Sequence, residues 1–341
     1  MKSTLISLLL TLLLSCSLPS HVFCQSRDDQ DEVIRVDTDL TNLLFTAADK
    51  QNRFITTLRE EDLRLIEDGV PQQITTFQRE TDRPLSLAFL IDVSISEERT
   101  LPQEKAAARS FIETVLQSSK DQAAIIAFTG PTFLEQGLTR DVFSIYRALE
   151  RVEVAMPSYL GSGRPISGIA SGPGMKAPPP GGTTAIWDAI ALTAKEVLAQ
   201  AVGQRRRAII LLTDGFDTSS RLLRTDAINR ALESETVIYV IGIGDNRSEG
   251  VNREGLRAVA AATGGRAFFP KRETDLKTAF AEIEQELRSQ YLIAYSSSNK
   301  KRDGGYRQMR LEVINPQLKK EELKLRYRPG YFAKPLPGGP K

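Results

Sequence analysis

Residues 85–96 read Leu85-Ser86-Leu87-Ala88-Phe89-Leu90-Ile91-Asp92-Val93-Ser94-Ile95-Ser96. As far as Ile91 the run is apolar but for Ser86, which suits a strand covered on both faces of a parallel sheet. It stops at Asp92, and Asp92, Ser94 and Ser96 then place one carboxylate and two hydroxyls at alternate positions. In a loop leaving a strand, that spacing can aim three oxygens at one point. A second strand pattern, residues 208–212, ends likewise in Thr213-Asp214-Gly215. In open α/β sheets ligands collect outside the carboxyl ends of strands, where the strand order reverses. Two carboxylates meeting there repel each other unless a cation lies between them. Carboxylate, hydroxyl and water oxygens are the donors that magnesium takes.

Outward from this stretch, strands and helices alternate. Ala108, Phe111, Ile112 and Val115 mark a helix, and residues 123–128 a strand with a short one near Phe133. Helices at 142–152, from Ile186, at 222–232 and 256–263 are interleaved with strands at 208–212, 237–243 and around Phe268. A last helix carries Leu276, Phe280, Ile283 and Leu287 on one stripe, with Thr274 or Asp275 placed to cap it. The fold class is α/β, a doubly wound, mostly parallel sheet over residues 84–288. On both sides of it the period falls to two. Residues 33–82 read as a small antiparallel β unit, with a strand from Val33 and a hairpin pairing 63–67 with 74–78 around Asp68-Gly69. Residues 289–334 read as a second unit, with strands at 291–295, 306–314 and 323–327. Neither end alone makes a sufficient core, so the two are expected to pack as one sandwich. Residues 335–341 form a Pro/Gly tail.

The amino terminus reads as an export signal: Lys2, the apolar run 5–14, then Ser15-Cys16-Ser17-Leu18-Pro19 and a polar stretch from Gln25. A signal over 1–24 and a mobile acidic leader over 25–32 are expected, with lipid attachment at Cys16 the alternative. No later segment is apolar enough to span a bilayer. The expected location is periplasmic or extracellular. The chain has 45 Lys+Arg against 43 Asp+Glu, which gives no argument for nucleic acid. Arg205-Arg206-Arg207 is expected at a solvated element end rather than at a polyanion site. The two cysteines, Cys16 and Cys24, and the single histidine, His21, all lie in or beside the signal. Thiolate nucleophiles, imidazole bases and the usual zinc ligands are thus missing from the mature chain. Hard-cation chemistry remains.

Asp92-x-Ser94-x-Ser96, the Gly181-Gly182-Thr183-Thr184 turn opening a helix, and Leu211-Leu212-Thr213-Asp214-Gly215 resemble, in order and in placement, the three parts of the metal-ion-dependent adhesion site of von Willebrand factor A domains. The resemblance covers about residues 84–288, and the flanks are similar to a bacterial subfamily of exported proteins with this domain. It implies Asp92, Ser94, Ser96, Thr184 and Asp214 as metal ligands, Asp214 often through water. It also implies Mg2+ as the ion, with Mn2+ or Ca2+ possible, and a partner carboxylate filling the last position. Thr184 is preferred to Thr183 because Ile186, Asp188 and Ala189 follow it at the family's distances. The sequence departs from the family at Ile95, where glycine is common, and at Glu97 and Glu98, where an apolar residue is usual. Both acids are expected as solvated residues of a first helical turn; the alternative is that one of them masks the open position.

The implied function is metal-dependent capture of an acidic group on a protein or glycan, with a structural scaffold as the alternative. There is no Walker loop and no GxSxG elbow, which sets an enzyme aside. The Gly/Pro/Ser-rich residues 156–180 are read either as a mobile insertion or as a rim that touches a partner. Asp217 is read as a solvated loop acid, and Trp187 as buried where its helix meets the sheet. The Gly242-Ile243-Gly244 turn lacks the third glycine of a dinucleotide loop.

Overall fold

The computed structural model describes residues 40–80, 83–117, 119–155, 164–166, 183–203, 205–244 and 251–335. The expected export signal, the leader and most of the strand from Val33 lie outside them, as do most of the 156–180 segment and nearly all of the tail. In chain order, the first strands are β1 (Leu40–Ala48), β2 (Leu63–Glu67), β3 (Val70–Gln72) and β4 (Ile74–Arg79). The middle of the chain holds β5 (Leu85–Asp92), α1 (Leu101–Val115), β6 (Gln122–Phe128), β7 (Thr132–Thr139), α2 (Val142–Arg151) and β8 (Arg164–Pro165). There follow α3 (Ile186–Leu192), β9 (Arg206–Thr213), α4 (Arg224–Glu233), β10 (Thr236–Gly242), α5 (Arg253–Thr263), β11 (Ala267–Phe268) and α6 (Glu273–Arg288). The last elements are β12 (Tyr291–Ser296), β13 (Tyr306–Val313), α7 (Pro316–Lys320), β14 (Lys324–Tyr327) and β15 (Gly330–Phe332).

A seven-stranded sheet runs in the order β11-β10-β9-β5-β6-β7-β8. Its centre is parallel, β5 lying between β9 and β6, while β7 returns antiparallel to β6. Every residue of β5 is buried, because both faces are covered. Leu87, Phe89 and Ile91 pack with α1, α2 and α6, and Ala88 and Leu90 pack with α3, α4 and α5. The α6 stripe Leu276, Phe280, Ile283 and Leu287 is buried as its period requires, with the Phe280 ring 5.0 Å from that of Phe111. Each of these side chains contributes about 1.5–3 kcal/mol by leaving water. The strand order reverses between β5 and β9, which opens a crevice at their carboxyl ends.

The two ends of the chain form one sandwich. β1 is clasped between β12 and β14 in a sheet ordered β14-β1-β12-β4, and β13 pairs with β2 in a sheet ordered β15-β13-β2-β3. Leu43, Phe45, Leu65, Tyr291, Ile293 and Leu311 from the two sheets share one core. Glu67 is buried within it, where its carboxylate accepts from the hydroxyls of Tyr295 (2.6 Å), Ser297 (2.5 Å) and Tyr331 (3.0 Å).

Three expectations change. The hairpin around Asp68 (φ 47°) and Gly69 (φ 82°) joins β2 to β3, not to 74–78. β4 crosses instead to the other sheet and pairs with β12. Helix α6 starts at Glu273, so neither Thr274 nor Asp275 is its cap; Asp275 lies in the first turn and binds Arg272. The arginine triplet is not a solvated end. Arg206 is 5% exposed, and its guanidinium donates to the carbonyls of Leu287 and Arg83 and to Gln290. Arg205 donates to the Leu85 and Lys120 carbonyls, and Arg207 to those of Ser234 and Ala201. These carbonyls lie at the ends of other elements or in the connections between them, and the arginines at the start of β9 supply them with donors.

Candidate metal centre

Asp92 ends β5 and Asp214 follows β9, so the two carboxylates flank the crevice where the strand order reverses. Asp92 is fully buried. One of its oxygens accepts from the Ser94 backbone N–H at 3.0 Å, and the other accepts from the Thr213 hydroxyl at 2.6 Å. The first bond folds the chain back on itself, as Asp side chains do in turns. It thereby sets Ser94 and Ser96 side by side, with their hydroxyl oxygens 2.9 Å apart. Ser94 is buried and Ser96 lies at the exposed rim. Asp214 is buried and accepts from the Phe216 N–H at 3.1 Å, in a turn that Gly215 completes at φ 86°.

Thr184 reaches the same end of the sheet through its backbone. Its N–H donates to the Thr218 hydroxyl at 2.8 Å, and its carbonyl accepts from the N–H groups of Thr218 and Ser219. On the other side the Thr129 hydroxyl, just beyond β6, donates to the Thr183 carbonyl at 2.6 Å. Asp217 is not a solvated acid. It accepts from the Ile186 N–H at 2.8 Å and the Ser220 hydroxyl at 2.5 Å, and so caps α3 from a different segment. Asp188 in turn accepts from the N–H groups of Arg221 and Leu222. The threonine loop and the loop after Asp214 are therefore one cross-braced unit. Trp187 is buried against the sheet, and Gly242 is the close-packing point of its turn, where a Cβ would meet the Phe269 ring at 2.6 Å.

Glu97 departs from its expected place, whereas Glu98 is exposed as expected. Helix α1 begins only at Leu101, so Glu97 is not in its first turn. It closes a single 3₁₀ turn over Ile95–Glu97 that directs Ile95 outward and Glu97 inward. Glu97 is 0% exposed, and its carboxylate, with those of Asp92 and Asp214, offers oxygens that all lie within 4.8 Å of one another. One Glu97 oxygen accepts from the Thr100 hydroxyl at 2.5 Å; the other has no donor among the described residues. Glu104, in the first turn of α1, is 1% exposed and lies against the Thr100 hydroxyl and the Glu97 carboxyl, though neither of its oxygens makes a well-aligned hydrogen bond among the described residues.

The electrostatics follow from this crowding. Burial lifts the Asp92 carboxyl to about 6 against the Thr213 and Ser94 bonds that lower it. Burial, then the Glu104 and Asp92 charges, push Glu97 far above the usual carboxylate range, and burial raises Glu104 too. Thr213, Thr129 and Glu104 are site residues that the sequence pattern alone did not single out. A signal existed for Glu104: it lies four residues before Ala108 on the apolar stripe of α1, where a solvated acid has no place.

The donors fit a hard divalent cation. Carboxylates and hydroxyls converge, and buried oxygens lack the donors that water-excluded carboxylates need.

The sequence matches the von Willebrand factor type A domain family over residues 87–216 in one description of the family and over 174–282 in another. No curated protein matches the chain significantly. Among solved structures it is similar to proximal thread matrix protein 1 of the mussel byssus, at 18% identity and a TM-score of 0.48, with 65% of this chain and 51% of the mussel chain covered. The chain thus spans about half the length of that protein, of which another structure has a zinc-occupied metal-ion-dependent adhesion site. A conserved hypothetical protein, BatB, from Bacteroides thetaiotaomicron matches at 20% identity and a TM-score of 0.43, with 59% of this chain and 98% of that one covered. A von Willebrand factor type A protein from Catenulispora acidiphila matches at 14% identity and 0.47, with 87% and 73% covered. With both family matches lying across the sheet that carries Asp92 and Asp214, the chain carries a von Willebrand factor type A domain.

Proposed function

We propose that this protein is an exported binding protein that captures an acidic group of a protein or glycan partner through a divalent cation at the β5–β9 crevice. The observation that carries the reading is the meeting of the Asp92, Glu97 and Asp214 carboxylates within 4.8 Å of one another at that crevice, beside the paired Ser94 and Ser96 hydroxyls. Such a group of like charges is tolerable in a buried place when a cation joins it. Asp92, Ser94, Ser96, Thr184 and Asp214 are the residues that would hold it. When bound, the ion supplies a positive centre to which an anionic group docks; Mg2+ suits the oxygen donors best.

The rest of the chain is consistent with binding rather than turnover. Its only cysteines and histidine, Cys16, Cys24 and His21, lie in the expected signal. The apolar run 5–14 behind Lys2 supports export, and no described helix is long and apolar enough to cross a membrane.

Calorimetric titration of Mg2+ and then Mn2+ tests the proposal, run on the protein and on an Asp92→Ala, Asp214→Ala double variant whose fold is checked by circular dichroism. One saturable site, lost in the variant, is expected. A folded wild type that binds no metal would put the scaffold function in its place.

A further inference from the structure

The resemblance to the family implies two carboxylates at the cation and leaves the last position to a partner, but this crevice holds a third carboxylate of its own. Glu97 is fully buried, it shares the 4.8 Å cluster with Asp92 and Asp214, and it has an oxygen with no donor among the described residues. The groups that face it are the Thr100 hydroxyl and three further acids, Glu104, Asp92 and Asp214. Glu104 is buried against the Thr100 hydroxyl and the Glu97 carboxyl, so an anionic Glu97 that drew back from the crevice would meet a second desolvated acid. Its favourable place as an anion is on the cation.

We infer that Glu97 is a resident metal ligand that takes the place of a partner's carboxylate, and that an acidic partner binds only in exchange for it. This rests on the metal site proposed above. The charge count gives the reason. A divalent ion facing three carboxylates is more than neutralised, and a fourth has nothing to gain there. With Glu97 withdrawn, the ion faces two and attracts an anion. Glu104 is a positioning residue that keeps Glu97 forward.

The experiment measures Mn2+ affinity by titration, melting temperature in EDTA and in saturating Mn2+, and acetate binding to the Mn2+-loaded protein. The proteins are wild type, Glu97→Gln, Glu104→Gln and Asp92→Ala. Glu97→Gln has nearly the same shape but is neutral. It is expected to melt above wild type in EDTA, to bind Mn2+ at least about tenfold more weakly, as loss of a charged ligand requires, and to bind acetate where wild type does not. Glu104→Gln is expected to melt higher in EDTA and to lose less Mn2+ affinity than Glu97→Gln. If Asp92→Ala abolishes Mn2+ binding while Glu97→Gln leaves it unchanged, the Glu97 assignment is overturned and the metal site stands. The assignment also falls if Glu97→Gln lowers the melting temperature equally in EDTA and in Mn2+, which would make Glu97 a structural acceptor. Mn2+ binding that is absent, or indifferent to Asp92→Ala, overturns the metal site itself.

Discussion

Replacing Thr213 by valine removes one oxygen and leaves the shape of the side chain. Thr213 is 0% exposed; its hydroxyl donates to Asp92 at 2.6 Å and accepts from the Gly215 N–H at 3.1 Å. No cavity forms, so the cost lies in the two bonds. A buried bond to a carboxylate contributes about 1.5–3 kcal/mol, and the stranded amide adds about 1. The expected loss is roughly 3 kcal/mol in the presence of EDTA. With a urea dependence near 3 kcal/mol per molar, the unfolding midpoint falls by about 1 M. Metal binding responds as well, because Thr213 fixes the orientation of Asp92: loss of such an outer partner weakens affinity about 10–100-fold. Thr213→Ser keeps the hydroxyl, and should retain metal affinity while losing only about 1 kcal/mol of methyl burial. Urea titration followed by circular dichroism, with Mn2+ calorimetry, checks both. A Thr213→Val protein with wild-type midpoint and wild-type affinity would refute the claim that this hydroxyl organises the centre.

Asp217→Ala removes the cap of α3 and is expected to cost about 1 kcal/mol by thermal melting. Because the 217–220 loop also braces Thr184, a several-fold loss of Mn2+ affinity should accompany it; unchanged affinity would detach Thr184 from the site. Glu67→Leu strands the hydroxyls of Tyr295, Ser297 and Tyr331 in the sandwich core and should destabilise by about 3 kcal/mol, and Glu67→Gln by less, with Mn2+ affinity preserved in both. The two glycine positions should differ sharply in melting temperature. At Gly265 a Cβ would lie 2.1 Å from the Ile238 carbonyl oxygen, so alanine is expected to cost about 3 kcal/mol or more. At Gly203 (φ 83°) nothing lies within 4 Å, so only the backbone cost of about 1 kcal/mol applies.

The layer architecture was legible in the chain alone. An apolar run such as 85–91 has one stable environment, between two layers of helices, and the stripes of α1 and α6 are bound to face it. Asp92 and Asp214 were legible too, since polar residues at the ends of buried strands stand out against their neighbours, and the alternation in 306–314 marked a sandwich strand. Which strands pair was settled in three dimensions. That β3 rather than 74–78 closes the Asp68-Gly69 hairpin depends on β12 competing for β4, a contact more than 200 residues away in the chain. The fate of single charges was settled in the same way. Glu97, Asp217 and Arg206 carry the composition of solvated residues. Asp217 and Arg206 are half-buried or buried because an uncapped helix end and a set of carbonyls bring them partners from distant segments, whereas Glu97 is turned inward by one local 3₁₀ turn, toward Asp214 from the far strand. Local pattern reports how much water an element tolerates. Where a charged side chain ends depends on which orphaned donors and acceptors the rest of the fold leaves within its reach.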